Sequence, residues 1–84
     1  MGYEYTLKVQ KEFRAAVAEQ ASTGISHIYE RLPAGASKHV NLSPVPEGLL
    51  LCDYLSHESD AAMALQRAVQ WLLLHAPEVT IAEA

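Results

Sequence analysis

Residues 38–55 read KHVNLSPVPEGLLLCDYL, and this stretch decides the fold. Its middle, Pro44–Gly48, favours a turn because proline presets φ and glycine suits a turn exit. Residues 38–43 alternate in polarity and predict a short strand. Residues 48–55 are mostly apolar on both faces, which is typical of an interior strand covered on both sides, or covered on one side by a partner. We therefore predict an antiparallel hairpin whose second strand lies inside the sheet.

Toward the N-terminus, the segment Tyr3–Val9 alternates apolar and polar residues with period two. This alternation predicts a half-buried strand. The residues predicted to face the core are Tyr3, Tyr5, Leu7 and Val9. The segment also fits a backward extension of the following helix, but no good N-cap precedes Tyr5, so the strand is favoured.

From Gln10 onward the apolar spacing becomes that of an amphipathic helix. Its stripe consists of Phe13, Ala16, Val17 and Ala21. The tripeptide Ser22-Thr23-Gly24 should interrupt the helix, yet helical spacing resumes over residues 25–32. The sequence LPAG, residues 32–35, then ends the helical pattern. Three alternatives stay open here: one long helix that contains Gly24, two helices that meet there, or a strand over residues 27–32.

After the hairpin, Ser56 is the predicted N-cap of a second main helix. Glu58 and Asp60 follow near its first turn, where the helix dipole favours acidic side chains. The predicted core stripe is Ala61, Leu65, Ala68, Val69, Leu72, Leu73 and Ala76. Pro77 ends the helix, and residues 78–82 are predicted to form a last short strand.

These elements run in the order β-α-β-β-α-β. Short connections and the hairpin favour a single α+β domain over residues 1–84, with an antiparallel sheet and two main helices on one face. The first topology to expect for this order is ferredoxin-like. That fold hosts enzymes, metal carriers, regulators and inert partners alike, so fold class alone does not indicate a function.

The composition indicates association with another protein surface. The chain of 84 residues is 50% hydrophobic and 19% charged, whereas a domain of this size buries only roughly 60% of the surface that its unfolded chain exposes. We expect part of the apolar surface to be covered by a protein partner or by a second copy of the chain. The net charge of −4 and the lack of a basic stripe argue against nucleic acid as a partner.

Several residue patterns exclude other classes. Cys52 is the only cysteine, which rules out an internal disulfide and fits a cytoplasmic location. No signal peptide is expected, and the apolar runs are too short for a membrane span. No two of the four histidines lie within five residues of each other. Since Cys-x-x-Cys is also absent, we expect neither a metal site nor a cofactor.

The second main helix carries an additional stripe, Met63, Arg67, Trp71 and Leu74, at i, i+4, i+8 and i+11. The stripe lies largely off the predicted core face, so this helix is apolar nearly all round close to its end. Because Trp, Met and Arg are enriched in interface cores, these four residues are the predicted interface. In the plainer alternative, the long first helix packs beside them and buries both stripes.

The densest polar group lies where the hairpin leads into the second main helix. An alternative site there consists of His39, Cys52, Asp53 and His57, in which a Cys–His or His–Asp pair would act as a nucleophile or base. Pairing that is symmetric about the turn would place His39 opposite Cys52 or Asp53. The plainer interpretation is that Cys52 is a small buried hydrophobe, because a reactive thiol needs an exposed, electropositive setting.

Two functional hypotheses follow. The first is a small non-enzymatic binding or regulatory protein that acts through protein–protein contact or self-association. The second is a small enzyme or ligand-binding protein with its site at the corner between hairpin and helix, around Cys52, Asp53 and His57. Exposure of Trp71 and burial of Cys52 are the features that discriminate between them.

Overall fold

A computed structural model describes residues 2–84, which form four strands and two main helices. The elements are β1 (Tyr3–Lys8), α1 (Arg14–Glu30), β2 (Val40–Val45), β3 (Gly48–Asp53), α2 (Glu58–Leu73) and β4 (Thr80–Glu83). Short 3-10 turns at Lys11–Phe13 and Ala36–Lys38 precede α1 and β2. The order is β-α-β-β-α-β, so the predicted α+β class is confirmed.

The four strands form one antiparallel sheet in the order β2-β3-β1-β4. This is the ferredoxin-like order that the sequence predicts. Strand β3 pairs with β2 on one side and β1 on the other, which confirms its interior position. Leu7, Leu49 and Leu51 point toward the helices and are at most 1% exposed. We call this side of the sheet the core face and the opposite side the open face.

The hairpin turn is tighter than predicted. Val45 pairs with Gly48, so only Pro46 and Glu47 form the turn, and Pro44 belongs to β2. Strand β2 lies at the edge of the sheet, and an edge strand tolerates a proline because one row of its backbone groups needs no partner. Strand β3 ends at Asp53, two residues earlier than predicted. Oδ1 of the Asp53 carboxylate accepts a hydrogen bond from the Leu55 N–H at 2.8 Å.

Helix α1 runs without a break through Gly24, so the single-helix alternative is the correct one and residues 27–32 do not form a strand. Its buried residues are Val17, Ala21, Gly24 and Ile28. The predicted stripe was wrong at its start. Phe13 precedes the helix in a 3-10 turn, and Ala16 is exposed because the core face begins at Val17.

Helix α2 packs its small residues toward the sheet. Its buried apolar residues are Ala61, Ala64, Ala68 and Leu72. The predicted core stripe is confirmed at Ala61, Ala68, Leu72 and Ala76, which are buried. It was wrong at its other members, since Leu65 and Val69 are half-buried and Leu73 is 49% exposed. Alanines on the contact face allow the helix axis to approach the sheet, and the larger side chains then flank the contact.

The two ends of the sheet differ in detail from the prediction. Tyr3, the first residue of β1, lies on the core face by alternation with Leu7 but is 52% exposed. Strand β4 spans Thr80–Glu83 and pairs with β1, so it starts two residues later than predicted. Between residues 2 and 84, neither helix combines the length and the apolarity required to cross a bilayer.

Candidate binding groove between the helices

A groove of about 270 Å³ lies between the C-terminal halves of α1 and α2. Helix α1 and its C-cap supply His27, Ile28 and Arg31, and α2 and its C-cap supply Arg67, Gln70, Trp71 and Leu74. The lining thus combines three large apolar side chains with two guanidinium groups. It contains no carboxylate, although the chain as a whole carries a net charge of −4.

Trp71 forms the contact between the two helices. A Cβ atom added at Gly24 of α1 would lie 2.2 Å from Cε2 and Cζ2 of the indole, so the ring occupies the space that a side chain would need. The ring also packs against His75, with the ring centroids 4.6 Å apart. Helix α1 therefore covers part of Trp71, as in the plainer alternative for this stripe, and leaves the indole half-buried at the groove.

The polar side chains of the groove are incompletely paired. Arg67 Nη1 donates a hydrogen bond to Gln70 Oε1 at 3.2 Å, whereas Arg67 Nε is buried and has no partner among residues 2–84. Within the same residues neither Arg31 nor Arg67 forms a salt bridge; the groove histidine, His27, lies 3.6 Å from Glu30. An unmatched buried donor costs roughly 1–3 kcal/mol, and Arg67 carries this cost at the edge of the groove.

The structure brings together three of the four predicted interface residues. Arg67, Trp71 and Leu74 line the groove, and Leu74 is 79% exposed. Met63 is half-buried against the hydrophobic core and does not line it. The residues that α1 and its C-cap contribute to the groove were not predicted from the sequence. The signal that would have found it is the mid-helix Gly24, which marks the face of α1 that approaches a large side chain.

The alternative site at the hairpin corner is assembled only in part. The rings of His39 and His57 stack with their centroids 5.0 Å apart. His39 Nδ1 shares a 2.7 Å hydrogen bond with Ser56 Oγ. A second cavity, of about 350 Å³, is lined by Asp53, Leu55, Ser56, His57 and Glu58. Leu55 has a φ of 62°, a left-handed conformation that a leucine rarely adopts.

Cys52 lies away from this corner. Val40 pairs with Asp53, and the Tyr54 N–H donates to the His39 carbonyl at 3.0 Å, so the predicted pairing of His39 with Cys52 or Asp53 was wrong by at least one residue. The turn contains Pro46 and Glu47, and this shifts the register. Cys52 pairs with Asn41 and points to the open face, where it is half-buried. The corner therefore joins the two histidines and Asp53 without the thiol.

His57, and not Ser56, is the N-cap of α2. Its ring Nδ1 accepts a hydrogen bond from the Asp60 N–H at 3.2 Å, and its backbone is extended as a cap requires. The Ser56 hydroxyl bonds to His39 instead. The Nδ1 atoms of His39 and His57 therefore both already form hydrogen bonds that stabilise the local structure.

We predict that His57→Ala lowers the free energy of unfolding by about 1 kcal/mol, because the cap acceptor is lost. For a domain of this size that corresponds to a fall in Tm of roughly 4–8 °C. His57→Asn keeps an acceptor at the same position and should lose less than half as much. Thermal melting followed by circular dichroism measures both, and equal losses in the two variants would show that capping is not the role of His57.

Among residues 2–84, the histidine, cysteine, aspartate and glutamate side chains form no group of three or more that is able to hold a metal ion. Comparison with protein-family models, with curated proteins and with solved structures gives no match for this chain.

Proposed function

We propose that this protein is a small non-enzymatic binding or regulatory protein. Its interhelical groove would bind a segment of a protein partner that combines an acidic residue with a large apolar residue. The observation that carries the proposal is the groove itself, where a half-buried Trp71 lines the same cavity as Arg67, whose Nε is buried without a partner among residues 2–84. We place this activity in the cytoplasm, because the only cysteine, Cys52, is free.

The apolar half of the groove provides the anchor for the partner. Ile28, Trp71 and Leu74 all line the groove, so an aliphatic or aromatic side chain of the partner would find apolar atoms to contact there. Ligand pockets for whole small molecules enclose roughly 300–1,000 Å³, and this groove encloses about 270 Å³. Its size therefore suits one or two side chains of a larger partner.

The cationic half provides the preference for acidic segments. Arg31 and Arg67 come from different helices and line the same groove without a carboxylate among its lining residues. A guanidinium binds a carboxylate through two parallel hydrogen bonds, which are stronger than neutral ones. Trp and Arg are also the residues that most often dominate binding energy at protein interfaces. The corner at His57 supports a site less well, since its ring Nδ1 atoms are already engaged.

Selection from a random peptide-display library on the immobilised protein tests the proposal. We expect the selected peptides to combine a carboxylate with a large apolar residue one to four positions away. Arg67→Glu and Leu74→Ser should each reduce their binding at least tenfold, which is about 1.4 kcal/mol. Leu74 is 79% exposed, so its replacement by serine should leave the fold intact.

The matched control is Lys11→Glu. This substitution changes the net charge by the same amount as Arg67→Glu. Lys11 is exposed and lies in the 3-10 turn before α1, outside the groove. Binding of the selected peptides should be unaffected by it within about twofold. Peptides without acidic residues, or binding that survives both groove variants, would contradict the proposal.

A further inference from the structure

The open face of the sheet carries a second surface, separate from the groove. The strand pairing assigns its residues by alternation: Glu4, Thr6 and Lys8 on β1; Asn41, Ser43 and Val45 on β2; Leu50 and Cys52 on β3; and Thr80 and Ala82 on β4. Among residues 2–84 no helix packs on this face, since the large strand side chains buried beneath α1 and α2 all belong to the core face. The face is therefore available to another protein surface.

The middle of the open face is apolar or uncharged. Leu50 lies at its centre, paired with Thr6 on one side and Ser43 on the other, and Ala82 continues the same row beyond Thr6. These four residues are half-buried within the chain alone. Strand β3 thus presents apolar side chains to both faces of the sheet, and within residues 2–84 the helices cover only the core face.

Charges of opposite sign border this row along β1. Glu4 lies two residues before Thr6 and Lys8 two residues after it, so the two are about 13 Å apart at ~3.3 Å per residue of strand. That distance is too long for an ion pair with each other. Across residues 2–84, neither of them forms a salt bridge with any other side chain.

We propose that the open face binds a second copy of itself, with a two-fold axis that runs across the strands along the row of Leu50 and Thr6. Such an axis lays each strand antiparallel over its own copy. Leu50 then contacts Leu50 of the second copy. Glu4 of each copy lies beside Lys8 of the other, so both charges gain a partner of opposite sign, twice in the dimer.

The same two-fold arrangement also avoids steric conflict at the two ends of β3, on either side of Leu50. Cys52 is paired with Glu4, and Gly48 is paired with Lys8. The axis that brings Glu4 over Lys8 therefore brings Cys52 over Gly48, which has no side chain to obstruct it. At the edge strand, Asn41 faces Val45 and Ser43 faces its own copy. No pair of like charges arises among these contacts.

The expected dimer is weak and depends on concentration. Three strands of six residues and one of four, spaced ~4.8 Å apart, give a face of roughly 350 Å². Two such faces bury less than the roughly 1,200–2,000 Å² typical of stable complexes. The charges then act chiefly by fixing the orientation of the two copies and excluding other orientations.

Charge reversal tests this arrangement, with sedimentation equilibrium as the measurement from about 10 μM to 1 mM. Glu4→Lys and Lys8→Glu each place like charges together twice, and we expect each to weaken dimerisation at least tenfold. The double variant Glu4→Lys/Lys8→Glu restores opposite signs, so its Kd should return to within threefold of the unmodified chain. The matched controls, Glu19→Lys and Lys11→Glu, make the same changes at exposed positions of the helical layer and should leave the Kd unchanged.

The thiol of Cys52 gives an independent readout, since its labelling rate should fall as protein concentration rises. Three results would overturn the proposal: a chain that stays monomeric at 1 mM, single variants that behave like their controls, or a double variant as weak as the singles. Arg67→Glu separates this surface from the groove. It should leave dimerisation unchanged, and dimerisation lost in that variant would assign self-association to the groove instead.

Discussion

Gly24→Leu is expected to lower the free energy of unfolding by about 3 kcal/mol, at the upper end of the usual cost of overpacking. Leucine is a better helix former than glycine, so intrinsic propensity alone would predict a gain. The loss arises because even a Cβ atom at this position would lie 2.2 Å from the Trp71 indole. A leucine has to displace the ring from the contact between α1 and α2. Urea denaturation measures the loss, and the emission of Trp71 should move to longer wavelength.

A double-mutant cycle shows whether Trp71 is the cause. In a Trp71→Ala background the space opposite Gly24 is empty, so adding Gly24→Leu should cost at least 1 kcal/mol less than it does in the unmodified chain. Ser26→Leu, at an exposed position of the same helix, is the matched control and should change stability by no more than about 0.5 kcal/mol. Equal costs in both backgrounds would mean that Gly24 is not packed against Trp71.

Gly48→Ala is the second substitution with a large expected effect, on the order of 3 kcal/mol, because steric conflict adds to backbone strain. A Cβ atom here would lie 2.1 Å from the backbone oxygen of Leu7 on the neighbouring strand. A backbone oxygen cannot rotate away as a side chain can, so β1 and β3 would have to separate. Gly48 also has a φ of 156°. Hydrogen exchange should show faster exchange of the amides that pair β1 with β3, along with the lower stability.

Gly35→Ala separates the two contributions to that effect. Gly35 has a φ of 86°, yet apart from its chain neighbours no atom of residues 2–84 lies within 4 Å of an added Cβ. The variant therefore suffers only the conformational strain, about 1–2 kcal/mol. If Gly35→Ala and Gly48→Ala prove equally destabilising, close contact between the strands is not what requires glycine at position 48.

The fold could be predicted from local patterns to the extent that its determinants are local. The alternation over Tyr3–Val9 and the apolar run after the turn identify β1 and β3, and their order with the helices leads to the ferredoxin-like topology. Three alternatives stayed open around Gly24 because its neighbours in the sequence do not explain a glycine inside a helix. The explanation is the indole of Trp71, which lies 47 positions later in the chain. No pattern local to α1 contains that contact.

The candidate groove was predictable on α2 but not on α1. Arg67, Trp71 and Leu74 follow helical spacing and stand out as a stripe, whereas the choice of the facing residues on α1 depends on how the two helices pack. The hairpin corner shows the same limit. Whether Ser56 or His57 caps α2 is decided by the hydrogen bond between Ser56 and His39, which are 17 residues apart.

The proposed function depends on an acidic segment binding beside Trp71, and this tryptophan is the only one in the chain. Its fluorescence therefore reports directly on occupation of the groove. The measurement is a titration with an acidic peptide obtained by display, and with the same peptide in which each acidic residue is replaced by lysine. Both peptides are added to the unmodified chain and to Arg67→Glu.

We expect the emission of Trp71 in the unmodified chain to change and saturate with the acidic peptide, at a Kd at least tenfold lower than for the lysine version. Arg67→Glu should abolish or invert that preference, because the variant removes the guanidinium and places a carboxylate in the groove. An unchanged emission at saturating peptide, or a preference for the acidic peptide that Arg67→Glu retains, would contradict the proposal that this groove binds acidic partners.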